Sequence, residues 1–156
     1  MKKKFLSAFL ALMLLCACAA HAAPQVSGSL FSAAKQAVGY LVSGEYERLV
    51  TLLPFSGVAP SAAEWESFAR NFSNRGSVQR DYAVAYWKGG CWRVAVPVQV
   101  PDNNGVETLL LTSDDGSTFT GYKYATWGQV MKDCSGSDHV VWNEEYVGGS
   151  AQLYGD

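Results

Sequence analysis

The sequence predicts an α+β fold, with N-terminal helices packed on a curved antiparallel sheet of four to five strands, cone-like in outline. Three observations carry that prediction. Apolar residues recur at helical spacing through the first half of the mature chain. After Gly76 the period falls to two. Clusters of Gly, Asp and Asn at 89–90, 101–105 and 114–116 then punctuate the second half at hairpin spacing.

Residues 29–42 place Leu30, Phe31, Ala34, Val38, Leu41 and Val42 on one helical face, with Ser27 or Ser29 as N-cap. Ser43-Gly44 breaks this helix, Gly44 being suited to a left-handed cap. A second helix is expected over 45–53, with Glu45 and Glu47 in its first turn and Pro54 ending it. Ser61-Ala62-Ala63-Glu64 is a capping box. It opens a third helix whose face is Trp65, Phe68, Ala69 and Phe72, closed by Asn74-Arg75-Gly76.

Strands are expected over 78–87, 91–100, Val106–Thr112 and Thr118–Tyr124, in an antiparallel meander. The second strand alternates best, with Trp92, Val94, Val96, Val98 and Val100 on one face. Pro97 lacks a ladder donor, which places this strand at an edge or at a bulge. Residues 126–134 have the apolar spacing of one or two helical turns around Trp127, Val130 and Met131. His139–Val147 is a candidate fifth strand, and the Gly-rich tail 148–156 is expected to fray.

The first 22 residues are of another kind. Lys2, Lys3 and Lys4 precede an apolar stretch from Phe5 to Leu15, and Ala20-His21-Ala22 supplies the small-x-small pattern of a leader-peptidase site. Cleavage between Ala22 and Ala23 is expected. As helix the apolar stretch covers about 16 Å, half the hydrocarbon core, which is too short for a membrane anchor. A competing reading is that Leu15-Cys16-Ala17-Cys18 resembles a lipoprotein box, with Cys18 as the lipidated residue. The chain thus divides into a signal peptide at 1–22, one α+β domain at 23–147 and the tail. The style of the signal resembles Gram-negative leaders, which implies a periplasmic or secreted product, or a lipid-anchored one if Cys18 is acylated.

Without the signal, nine basic residues face fourteen acidic ones, a formal charge of −5. So acidic a body is a poor partner for nucleic acid or anionic lipid. Cys91 and Cys134 are the cysteines left after processing, and an oxidising compartment favours joining them. That bridge would close a separation of 43 residues, worth about 4 kcal/mol in the chain-entropy model. Two thiols too far apart to bond are the other reading.

The run Ala33–Pro54, a helix broken at Ser43-Gly44-Glu45-Tyr46 and resumed to Leu52-Leu53, resembles the opening of nuclear-transport-factor-two-like proteins. Gly90–Val98, Val106–Thr112 and Asp115-Gly116 resemble their long strands and hairpins. The resemblance covers about 95 residues and implies a cone with a pocket between helices and sheet. The Cys pair and segment 125–156 depart from the family pattern. In the isomerase relatives an Asp base works with a Tyr donor, but Asp81 and Tyr82 are neighbours in one strand and point to opposite faces.

No other catalytic or metal-binding pattern stands out. His139 is the one His after processing, and it adjoins Asp138 too closely for a nucleophile–base–acid relay. Asp102-Asn103-Asn104-Gly105 starts like a calcium loop, but Val106 falls on a ligand position. No catalytic residue, cofactor or metal is therefore assigned. The expected function is a non-enzymatic exported domain binding a small ligand or an envelope protein. The alternatives are a lipoprotein accessory tethered at Cys18 and a small isomerase- or hydratase-like pocket enzyme. The five Trp and eight Tyr fit an aromatic-lined pocket or plain packing.

Overall fold

The computed structural model describes residues 23–72, 82–98 and 105–143. The signal segment with Cys18 and Ala22 lies outside the described residues, as do the starts of the first expected strand and helix stop, Val100, the 101–104 turn and everything after Asn143.

Helix α1 spans Gly28–Ser43. Ser27 is its N-cap, accepting from the Ser29 N–H, and Gly44 ends it at φ 78°. Helix α2, Tyr46–Leu52, follows at once. Helix α3, Ala62–Ala69, begins with the expected capping box: Ser61 Oγ accepts from Glu64 N, and Glu64 Oε2 accepts from Ser61 N at 2.7 Å. It stops earlier than predicted. The Asn71 side chain and Asn71 N both donate to the Phe68 carbonyl, drawing the last turn tight before residue 72.

The strands are β1 (Ala83–Lys88), β2 (Cys91–Pro97), β3 (Glu107–Ser113), β4 (Gly121–Thr126) and β5 (Val140–Asn143). They form one open sheet in the order β4-β3-β2-β1-β5. All four pairings are antiparallel. The predicted meander thus holds for β1–β4, and the fifth strand docks on the far side of β1. The β1–β2 turn is two residues long, and Gly89 and Gly90 both have positive φ, as the tightest hairpin turn requires.

Pro97 does not mark an edge: β2 lies in the middle of the sheet. Val98 N donates to the Glu107 carbonyl, so alternation aims the Pro97 nitrogen away from β3 and toward β1. The β1 ladder has already ended, at Val84↔Ala95. The missing donor therefore costs no ladder bond.

Helices α1–α3 cover one face of the sheet, as predicted. Ala83, Ala85, Val94, Val96, Leu109 and Leu111 meet Leu30, Ala34, Val38, Leu41, Leu49 and Trp65 there. The other face is covered as well. Helix α4, Trp127–Ser135, lays Trp127 and Val130 on Val84, Tyr86, Ala95 and Leu110. Lys35, fully buried on α1, donates to Asn143 Oδ1 and ties the helix layer to β5.

The segment before α1 runs across the end of the sheet. Trp92 Nε1 donates to the Pro24 carbonyl at 2.7 Å, and Ser27 N donates to the Gly116 carbonyl at 2.8 Å. Gly116 has φ 76°, and a Cβ there would sit 2.2 Å from the Gln25 carbonyl oxygen. Gly116→Ala should therefore cost about 2–4 kcal/mol, combining backbone strain with displacement of the 23–26 strap. Gly57→Ala, at φ 91° with open space around it, should cost only the strain, about 1–2 kcal/mol. Urea unfolding of both variants checks this, and equal losses would show that the strap does not press on Gly116.

Candidate functional site

Two places gather polar side chains against a sheet face. One lies between the sheet and α4. Asp133, with a side chain only 10% exposed, takes Lys88 Nζ at 2.5 Å and lies 3.7 Å from Arg93 NH1. Gln129 Nε2, one turn earlier on α4, donates to it at 3.1 Å, and the buried Tyr86 hydroxyl donates at 3.3 Å. Burial pushes the Asp133 carboxyl up. The hydrogen bonds from Lys88 and Gln129 outweigh that and hold it below its ordinary range. Tyr86 is pushed up, by burial first and then by the Asp133 charge.

The two cysteines flank this knot. Cys91 faces Lys88 across the hairpin at the start of β2, and Cys134 follows Asp133 on α4. Both are half-buried free thiols on the α4 side of the sheet. Burial, assisted by Asp133, pushes the Cys134 thiol up to about 11. It is therefore protonated at neutral pH and a weak nucleophile.

The second place is a cleft of about 540 Å³ at the end of the sheet. Its walls are the strap Ala23–Val26 and the approach to β5, Asp138–Val141, with Trp92 between them. Trp92 is held by Pro24 and by Trp87, whose ring lies 5.5 Å away edge-to-face. On the opposite wall, Ser137 Oγ donates to the Trp87 carbonyl at 2.7 Å. The His139 carbonyl accepts from Trp87 N at 3.0 Å. The backbone of 137–139 is thereby fixed, while the Asp138 and His139 side chains are exposed.

The other sequence-derived candidates fall elsewhere. Ala23, the expected first residue after cleavage, is half-buried on the strap. Tyr82 stacks with Trp127 and Trp142 on the α4 side, away from the space between helices and sheet, and Asp81 lies outside the described residues. The rings on the helix side pack on one another. Trp65, wholly buried, lies 4.4 Å from Tyr122 and 5.8 Å from Phe68. Among the described residues no group of three His, Cys, Asp or Glu is placed to hold a metal ion, and no helix is long and apolar enough to cross a membrane.

Asp133 and the cleft were not legible as such in the sequence. The one available signal was Pro24, a rigid residue in the second position after the expected cleavage site. No protein-family model, curated protein or solved structure matches this chain.

Asp133→Asn should lower stability by about 2–3 kcal/mol at neutral pH, because two cations lose a shared carboxylate. The folded form holds the Asp133 pKa below its unfolded value of about 3.9, so this stabilisation is present above pH 4 and is lost as pH falls through the folded value. Denaturation of both proteins across pH 2–7 should show the gap closing at the acid end. A gap constant over the whole range would mean that ionisation of Asp133 is not its source.

Proposed function

We propose that this chain is an exported, non-enzymatic α+β domain that binds a small ligand in the cleft between the Ala23–Val26 strap and the approach to β5. The cleft is the observation that carries the reading. Its volume falls within the range of small-molecule sites, and its lining mixes Pro24, Val26, Val140 and Val141 with Gln25, Asp138 and His139. Three helices followed by a meander, with those helices on one face, support kinship with the cone-type nuclear-transport-factor-two-like group; the covering helix α4 is an addition to it.

Three of the described carboxylates fit a binder. Glu64, Asp115 and Asp133 are each held below the usual range by hydrogen-bond donors. A carboxylate lowered in this way is an anchor, whereas proton transfer at neutral pH needs a raised one.

Export to the periplasm or beyond follows from the leader-like first 22 residues, with cleavage between Ala22 and Ala23. In that compartment Cys91 and Cys134 form a disulfide, which is favoured by their common side of the sheet and by the Lys88–Asp133 ion pair, Cys91 pairing with Lys88 and Cys134 following Asp133. The bridge staples α4 to the β1–β2 hairpin. Removing it by Cys91→Ser should cost up to about 4 kcal/mol under oxidising conditions and little under reducing ones.

Intact mass of the protein isolated from its host, before and after reduction, tests the processing. The expected mass starts at Ala23 and gains two hydrogens on reduction. A mass starting at an acylated Cys18 would replace this reading with a tethered accessory protein, and a mass unmoved by reduction would remove the bridge. For the cleft, the Trp92 indole N–H is the reporter. A mixed set of neutral, cationic and anionic small molecules should contain members that move its NMR signal saturably; a set that leaves it unmoved would overturn the cleft as a ligand site.

A further inference from the structure

We infer that the ligand of this cleft is a peptide in extended form. It adds to the outer edge of β5 as a sixth strand and places one aliphatic side chain in the cleft. The inference rests on the cleft being a ligand site and names the class of ligand.

Strand β5 ends one side of the sheet and pairs with β1 alone. Trp87 N donates to the carbonyl of His139 directly opposite, so His139, Val141 and Asn143 turn their backbone groups toward β1. Alternation then turns the N–H and carbonyl of Val140 and Trp142 outward, where no described residue meets them. The side chains alternate as well. Val141 shares the helix face with Ala85, and Trp142 shares the α4 face with Val84. They are 41% and 45% exposed, one on each face of the same edge. Trp142 is held by Tyr82 at 5.7 Å and by Trp127 at 6.2 Å, both edge-to-face. The opposite edge of the sheet is guarded, because β4 carries the exposed Lys123, a charge of the kind that blocks strand addition. Val140–Asn143 has no such guard.

This edge leads into the cleft, since Val140 and Val141 belong to its lining. A strand laid antiparallel on β5 bonds to Val140 and Trp142. Its residue between those two bonding positions stands opposite Val141 at the closer, non-bonded spacing. The side chain of that residue falls on the helix face beside Val141, where the strap with Pro24 and Val26 forms the other wall. A second copy of the chain fits this edge less well. It would meet β5 over four residues, ~13 Å, whereas a standard interface takes about 800 Å² from each partner. A peptide needs less, because it brings the cleft into the same contact. Asp138 adds a negative charge to the lining that no described Lys or Arg of the lining offsets, and the whole chain carries −2. The field around the site therefore favours a peptide with basic ends over an acidic one.

The probe is the peptide acetyl-Lys-Val-Thr-Val-Thr-Val-Lys-amide, titrated into the protein while the β5 amides are followed by NMR and hydrogen exchange. Saturable binding is expected, with a Kd below about 1 mM. Bound peptide should slow exchange at the Val140 and Trp142 amides about tenfold or more, while Val141, already paired with Ala85, changes little. N-Methylation at the two threonines, whose N–H groups face β5, should abolish binding. N-Methylation at the central valine, whose N–H faces away, should leave it within about threefold. Val141→Lys, at an exposed position, puts an edge charge beside the cleft and should weaken the peptide about tenfold or more. Val141→Thr keeps the branched shape and should bind as the parent does. No binding up to about 5 mM, bound peptide without protection of Val140 and Trp142, or equal binding of the two methylated peptides would overturn the inference. Protection of those two amides that rises with protein concentration alone would overturn it in favour of pairing between copies. If the peptide fails while small molecules still move Trp92, the cleft stands as a ligand site and only the strand falls. If nothing moves it, both fall.

Discussion

The burial of the sheet on both faces is the constraint on which the other features depend. Strands β1, β2 and β3 are covered by α1–α3 on one side and by α4 on the other, and Val84, Tyr86, Ala95 and Leu110 would meet water if α4 left. Helix α4 is only nine residues long and cannot stand alone. Its two large apolar contacts, Trp127 and Val130, are supplemented at the other end by Asp133, the one carboxylate that Lys88, Arg93, Tyr86 and Gln129 share. Among the described residues Arg93 Nε is left without a hydrogen-bond partner. The knot is otherwise satisfied, half-buried around the nearly buried Asp133, and it favours one rotation and one position of the helix.

The sequence carried the helix side of the fold well and the α4 side poorly. Capping chemistry is local, so Ser27, Gly44 and the Ser61–Glu64 box could be read without knowing what the helices touch. The two-residue hairpin at Gly89-Gly90 is local in the same sense. Pro97 misled because its penalty depends on whether a neighbour strand reaches that far, which is a tertiary fact. A second cover over the sheet did leave a mark. Leu109, Leu110 and Leu111 run without alternation, as do Ala83, Val84, Ala85 and Tyr86, and a continuous apolar run is what a strand buried on both faces requires.

The site was the least legible part. The cleft is built from the first four residues of the expected mature chain, a Trp in the middle and four residues near the end of the described chain. No spacing rule links positions so far apart. His139, a lone residue beside Asp138 in the sequence, comes to lie opposite the strap only because Trp87 and Ser137 fix its backbone there. The aromatic wealth of the sequence divided in a way composition could not foresee. Trp65 and its neighbours are packing, Trp142 is 45% exposed, and the buried Trp92 lies against the cleft.

The long-range ties also set an order of assembly. The meander from β1 to β4 joins strands adjacent in sequence, so its hairpins can close while the chain is still short. The bond from Lys35 to Asn143 spans 108 residues, and Trp92 reaches back 68 to Pro24. Closing a contact over so long a stretch of chain carries a larger entropic cost than closing a hairpin, so burial of Lys35 against Asn143 belongs to the last steps of assembly, when the helix layer and the outer strand lock together.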